Sequence, residues 1–393
     1  MTSDTKRRFV SRSVRDLPRS GIRDFFEIVD TREDVISLSI GEPDFTTPWH
    51  IREASIFALD RGSTSYTANL GLLELREAIA DYVRDSHGVA YDPATEILVT
   101  VGVSEALDLA VRAVVEPGDE VLHHEPCYVA YAPVVSLAGG NPVSAATRRE
   151  DEFRLKRATL DALATKRTKA MLLNFPCNPT GAVLERDDIE GLAEFSVKHD
   201  LVVISDEVYS ELTYEGDRIS MPTLPGMRER TILLSGFSKA WAMTGYRIGF
   251  ACAPAELIEA MMKVHQYTMM CASIVSQKAA IEALVHGRDD VADMREEYRR
   301  RRNFICASFN EMGLPCHVPR GAFYAFPHVE AFGLSSHDFS LRLLEEENVA
   351  CVPGTAFGTA GEGFLRCSYA TGMDEIKEAM RRLSRFVERL QPA

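Results

Sequence analysis

Several things are missing from this 393-residue chain, and each absence removes a class of function. No stretch of about 18 or more apolar residues occurs, so no membrane-spanning helix is expected. Residues 1–19 are polar and charged with no apolar centre, which does not read as a secretory signal. Positive charge is in short supply. Lys and Arg number 44 against 58 Asp and Glu, a formal net charge of −14, and this argues against nucleic acid or an anionic membrane as the main partner. The eight cysteines include no C-x-x-C pair and no Cys/His cluster at zinc spacing, so no metal site is expected. In so long a chain they read as reduced thiols of a cytoplasmic protein. Neither G-x-x-x-x-G-K-[ST] nor G-x-G-x-x-G is present, which removes a nucleotide P-loop and a nicotinamide dehydrogenase. Internal repeats and low-complexity linkers are absent too.

What remains is ordinary globular material, 46% hydrophobic and 26% charged, long enough for two or three units. Residues 35–40 alternate apolar and polar, as a strand does. Residues 74–84 place Leu75, Ala78, Ile79, Tyr82 and Val83 on one helical face. From about residue 96 short apolar runs at 97–101, 120–123, 170–175, 201–205, 231–234 and 246–252 alternate with helical stretches such as 104–115 and 187–199. That pattern predicts buried, mostly parallel strands in an α/β sheet. A charged helical stretch at 289–310 leads away, and a closing helix at 374–390 ends a second, smaller α/β unit. The expected division is an N-terminal arm with a small-domain segment at 1–45, a large domain at 46–285 and a small C-terminal domain at 286–393. The four consecutive arginines 299–302 read as a solvated helix face rather than one basic patch.

Four motifs follow strands and carry chemistry. Lys239 lies in Ser-Gly-Phe-Ser-Lys-Ala-Trp-Ala-Met-Thr-Gly-Tyr-Arg-Ile-Gly at 235–249, with Ser238 beside it and Arg247 eight positions on. A lysine after a parallel strand sits where open α/β sheets bind ligands. Paired with an arginine it can serve an aldehyde and a phosphate on one cofactor, and burial makes it a nucleophile. Asp206 ends Val-Val-Ile-Ser-Asp at 202–206. Buried there it needs a cationic or proton-donating partner, and Tyr209 three residues later can point at the same ring. Read alone, Asp206 serves equally well as a helix cap. Asn178 lies in Asn-Phe-Pro-Cys-Asn-Pro-Thr-Gly at 174–181, where X-Pro bonds can be cis and fix its aim. Thr-Val-Gly-Val-Ser at 100–104 is a strand-to-helix junction whose free N–H groups and dipole suit an anion, although an ordinary βα turn looks the same.

In this order the motifs resemble the class I and II aminotransferases of fold type I, enzymes that use pyridoxal 5′-phosphate. The resemblance runs from Ser-Gly-Ile-Arg at 20–23 to Phe-Leu-Arg-Cys-Ser-Tyr at 364–369, and includes Gly-Glu-Pro-Asp-Phe at 41–45. It implies that Lys239 carries the cofactor as a Schiff base and then moves the α-proton. It implies that Asp206 keeps the pyridine nitrogen protonated, making the ring an electron sink. Asn178 and Tyr209 would bind the phenolic oxygen, and Tyr128 would stack on the ring. Gly102, Val103, Ser104, Ser238 and Arg247 would hold the phosphate. Tyr66 would reach the site of the other subunit of a homodimer. Arg366 would grip the substrate α-carboxylate, with Gly41 close by for lack of a side chain. Tyrosine at 128 stands where some relatives carry tryptophan, and Gly236 where some carry serine.

The implied reaction is a ping-pong transfer from an L-amino acid, aromatic or broad in range, to a 2-oxo acid such as 2-oxoglutarate, with the cofactor alternating between pyridoxal and pyridoxamine forms. A carbon–sulfur β-lyase or an aminocyclopropane-carboxylate-synthase-like enzyme shares the same site. A non-catalytic effector-binding protein needs a DNA-binding module that 1–30 is too short to supply. For a second substrate carboxylate, Arg23 and Arg320 are candidates, each better read as a surface or interdomain arginine. His123, His124 and His265 lie near the motifs and are better read as structural.

Overall fold

The computed structural model describes residues 9–18 and 34–390. Its centre is a seven-stranded sheet of β2 (Ile97–Thr100), β3 (Glu120–Glu125), β4 (Asn141–Ala146), β5 (Thr168–Asn174), β6 (Val202–Asp206), β7 (Thr231–Gly236) and β8 (Gly249–Cys252), preceded in the chain by β1 (Ile36–Ser37). The spatial order is β2-β8-β7-β6-β5-β3-β4, and β8 alone among these runs against its neighbours. β2, β7 and β8 are buried along their whole length and β3, β5 and β6 along most of theirs. Helices on both faces explain why these runs read as continuously apolar rather than alternating. Each fully buried leucine or isoleucine contributes about 1.5–3 kcal/mol.

The predicted strands 97–101, 120–123, 170–175, 201–205, 231–234 and 246–252 all fall on this sheet within a few residues. β4 was not legible. It is an edge strand, fully buried only at Ala145, with Pro142 at its second position. The predicted helices appear at Leu73–His87, Val103–Val114, Arg186–Lys198, Arg288–Glu311 and Met373–Arg389. Gly88 ends the first of them in the left-handed region at φ 73°.

A second group of elements holds β9 (Tyr324–Ala325), β10 (Val349–Ala350), β11 (Val352–Pro353) and β12 (Leu365–Ser368). β11, β12 and β9 form an antiparallel sheet, and β1 joins β10 in parallel, Ile36 opposite Val349. The strand expected over 35–40 is therefore only two residues long, because it pairs with a two-residue partner. One apolar core runs from Phe309, Phe339, Leu383 and Phe386 to Val208, Tyr209 and Leu212 at the end of β6. The two groups thus share buried surface beside the sheet edge.

The arginines 299–302 correct an expectation. Arg299 and Arg300 pair with Glu296 and Glu297 in solvent, but Arg301 and Arg302 are buried, 5% and 3% exposed. Arg301 reaches Asp44 at 2.8 Å, and Arg302 meets Glu215 through both terminal nitrogens at 2.6 and 2.7 Å. Four consecutive residues span more than one turn of helix, so two of them necessarily face the protein. All eight cysteines are free thiols, Cys271 alone only partly buried. Among the described residues no helix is long and apolar enough to cross a membrane.

Candidate active site

Six strands of the large sheet, all but β8, run in one direction, and the carboxyl ends of β2, β3, β5, β6 and β7 form the edge that matters here. Each loop leaving that edge delivers one of the motifs. A cavity of about 490 Å³ opens there, lined by Val103, Ser104, Tyr128, Asn178, Asp206, Tyr209, Ser238, Lys239 and Arg247 from these loops, and by Gly41, Tyr324 and Arg366 from the second group. β8 runs backwards, so its first residue lies at the same edge as the end of β7. That brings Arg247 to the cavity.

Lys239 Nζ donates to Gly41 O at 2.6 Å. Burial and then the Arg366 guanidinium pull its proton affinity down to about 8, with Arg247 adding to the effect and Glu42 and Asp206 opposing it. An amine with the ordinary value near 10.4 is almost entirely protonated near neutrality. This one has a substantial neutral fraction. Capture of an aldehyde by the cofactor-free protein is therefore expected to quicken about tenfold per pH unit and to level off near pH 8. Stopped-flow absorbance after mixing with pyridoxal phosphate reads this. A rise continuing past pH 10 would mean the amine is not depressed.

Asp206 is buried, and burial lifts its carboxyl to about 6 despite three favourable neighbours. The Tyr131 hydroxyl donates to Oδ2 at 2.8 Å, the Val208 N–H donates to Oδ1 at 3.2 Å, and Lys239 adds its charge. Asn174 fixes the strand end, donating to the Asp206 carbonyl at 3.0 Å and accepting from the Asn178 N–H at 3.0 Å. The peptide bonds Glu125–Pro126, Phe175–Pro176 and Asn178–Pro179 are cis.

Gly102 caps helix Val103–Val114 with φ 76°, a conformation that favours glycine. A Cβ there would stand 2.7 Å from Arg247 Nη2. The helix N-terminus and the guanidinium consequently lie against each other, as an anion site requires. Gly236 has no room for the serine of some relatives, since a Cβ would meet Gly249 Cα and Val103 Cγ2 at 2.9 Å.

Arg366, on β12, is fully buried. Nη1 donates to Asn178 Oδ1 at 3.3 Å and Nη2 to the Ser39 carbonyl, while Nε has no partner. The guanidinium lies over the rings of Tyr324 and Phe357, each 4.8 Å away. A buried, incompletely satisfied guanidinium facing a cavity fits a carboxylate. Gly41 lines the cavity and carries a second constraint beside the expected approach of a carboxylate. The space of its Cβ is filled by the Tyr324 hydroxyl, at 2.6 Å.

Tyr66 is not brought into this cavity. It is 80% exposed. Arg320 pairs with Glu185 at 2.6 Å outside the lining, while Arg23 and the 20–23 segment lie outside the described residues. The three histidines are structural. His123 and His124 bond to neighbouring carbonyls, and His265 is buried against Glu105 at 2.6 Å. Sequence reasoning missed Asn174, Tyr131 and Tyr324. Asn174 opens the motif at 174–181 and Tyr131 follows Tyr128 by three residues, so for these two the signal was position rather than residue type.

A nucleophilic lysine, a buried strand-end carboxylate and an anion cradle on one edge of such a sheet define a pyridoxal-phosphate enzyme of fold type I. The residues present fit that cofactor: an amine, an acid and a cradle for its aldehyde, ring nitrogen and phosphate. The model of the family "Aminotransferase class I and II" matches residues 33–383, and the chain belongs to that family. It is 51% identical to a putative aminotransferase, YugH, of Bacillus subtilis, over 97% of this chain and 99% of that protein. It is 49% identical to an aspartate aminotransferase of Pyrococcus abyssi, over 94% and 95%. The solved aromatic aminotransferase of Pyrococcus horikoshii superposes with a TM-score of 0.89 at 49% identity, covering 93% of this chain and 98% of that one. The protein is a pyridoxal-phosphate-dependent aminotransferase that moves an amino group from an amino acid to a 2-oxo acid.

Proposed function

We propose that the donor is an aromatic amino acid or one of a broad range that includes aromatics, and that 2-oxoglutarate is an acceptor. One observation carries this reading. Among the described residues, the cations lining the cavity are Lys239, Arg247 and Arg366, each with a role in cofactor or α-carboxylate binding. None of them is left for a donor's side-chain carboxylate, and the rest of the lining includes Leu107, Tyr128, Val129 and Tyr131. A dicarboxylate acceptor would draw its second cation from outside this lining. The test is the absorption spectrum of the holoenzyme as amino acids are added one at a time. Phenylalanine and tyrosine are expected to discharge the visible band, aspartate more slowly. Discharge by aspartate alone would overturn the reading.

Pyridoxal phosphate, when bound, supplies an aldehyde carbon that takes up the amino group and an electron-poor ring that stabilises charge at the α-carbon. The chain's own residues do the rest. Lys239 Nζ holds the cofactor, and once displaced it takes the α-proton and returns it, a task its lowered proton affinity suits. Asp206 holds a proton on the ring nitrogen. Asn178 and Tyr209 orient the ring oxygen, and Tyr128 covers the ring face. Gly102, Val103, Ser104, Ser238 and Arg247 receive the phosphate. Arg366 binds the α-carboxylate, with Gly41 allowing close approach.

Tyr66, exposed and outside its own cavity, is assigned to the phosphate of the neighbouring subunit in a homodimer. Residues 46–285 are assigned to the cofactor-binding domain, and 286–393 with the segment ending at 45 to the small domain. The free thiols are in keeping with a cytoplasmic location.

A further inference from the structure

We propose that Tyr324 is a positioning residue that sets the hydrogen-bond direction of Tyr209 and thereby tunes the proton held on the Lys239 nitrogen. The inference rests on the reading that Tyr209 donates to the ring oxygen of the cofactor. The two hydroxyls are 2.8 Å apart and buried, and no other side-chain hydrogen bond is made by either among the described residues. A phenol has one proton to give. If Tyr209 gives its proton to the cofactor oxygen, it can only accept from Tyr324. The order is then fixed: Tyr324 donates to Tyr209, and Tyr209 donates onward.

Tyr324 is well placed to impose that order. It sits on β9, opposite Ser368 and two residues along the β12 register from Arg366. Its ring lies under the Arg366 guanidinium at 4.8 Å, and its hydroxyl fills the space beside Gly41, whose carbonyl accepts from Lys239. The ring of Tyr209 meets that of Tyr324 edge-on at 5.8 Å. One hydroxyl therefore lies against Gly41 and the Tyr209 side of the cavity together. A donor to Tyr209 makes Tyr209 a stronger donor in turn, because hydrogen bonds in a chain polarise one another. Electron density drawn from the ring oxygen weakens its hold on the proton at the neighbouring Lys239 nitrogen. That proton then leaves at lower pH.

The test is a pH titration of the visible band of substrate-free holoenzyme, for wild type, Tyr209→Phe and Tyr324→Phe. Tyr324→Phe keeps the ring and its packing and loses only the hydroxyl. Its titration midpoint is expected to rise by about half a unit to one unit, the scale of one neutral hydrogen bond. Tyr209→Phe is expected to rise further, and the double variant to match Tyr209→Phe alone. An unmoved midpoint in Tyr324→Phe beside a raised one in Tyr209→Phe would overturn the positioning role alone. If Tyr209→Phe also left the midpoint unmoved, the reading of Tyr209 itself would fall. Loss of folding would show as a lowered Tm and weakened cofactor binding in place of a displaced titration. In that case Tyr324→His, which keeps a donor at a similar reach, is expected to restore a midpoint below that of Tyr209→Phe, and a midpoint equal to it would overturn the proposal.

Discussion

Lys239→Ala is expected to hold pyridoxal phosphate without a covalent link and to turn over about four orders of magnitude or more slowly. Two separate losses add up. The variant has no amine to bind the aldehyde carbon, and it has no base within reach of the α-proton; acid–base catalysis alone is worth about 10²–10⁴-fold. The cradle of Gly102, Ser104 and Arg247 remains, so the cofactor still binds, more weakly. Borohydride reduction followed by intact-protein mass measurement distinguishes the cases: wild type retains the cofactor mass and the variant does not. Turnover within tenfold of wild type would place the covalent link on another residue.

Asp206→Ala is expected to bind the cofactor yet exchange the substrate α-proton about 10²–10³-fold more slowly, the usual cost of removing a preorganised charge from a reacting system. Asp206 stands at about 6 with the Lys239 charge nearby, so at pH 7.5 it is already mostly ionised, and a protonated ring nitrogen beside it would hold it so. Without it the nitrogen has no anion to keep its proton. Deuterium exchange in D₂O, followed by NMR on the donor amino acid, reads this step without a 2-oxo acid. Exchange at the wild-type rate would remove the electron-sink role. Tyr131 offers an internal comparison, since it loses its acceptor in the same variant. A fall in Tm without a fall in exchange would show that Asp206 matters only for packing.

The parts that were legible from sequence are those in which one residue type answers to one local rule. Buried parallel strands read as apolar runs because both faces are covered, and Lys239, Asp206 and Asn178 read as site residues because each follows such a run. β4 failed that rule because an edge strand with Pro142 is held by β3 on one side only. Arg301 and Arg302 failed because a charge run tells nothing of the acids facing it, and Asp44 and Glu215 come from distant segments. Tyr131 and Tyr324 are ordinary aromatics until their hydroxyls are seen against Asp206 and Tyr209. The small size of Gly41 was legible, while the hydroxyl of Tyr324 that fills the space of its Cβ, from almost three hundred residues away in the chain, was not.

The single reversed strand of the large sheet has a further meaning. Because β8 turns back beside β7, the amine of Lys239 and the guanidinium of Arg247 are the two ends of one short loop. That loop is a ruler. Its length sets how far apart the two groups stand, and any ligand gripped by both must match it. Insertions elsewhere in surface loops shift little more than their own backbone. A single added residue between 239 and 247 would instead change the gauge of the site, leaving every side chain in place and the spacing wrong.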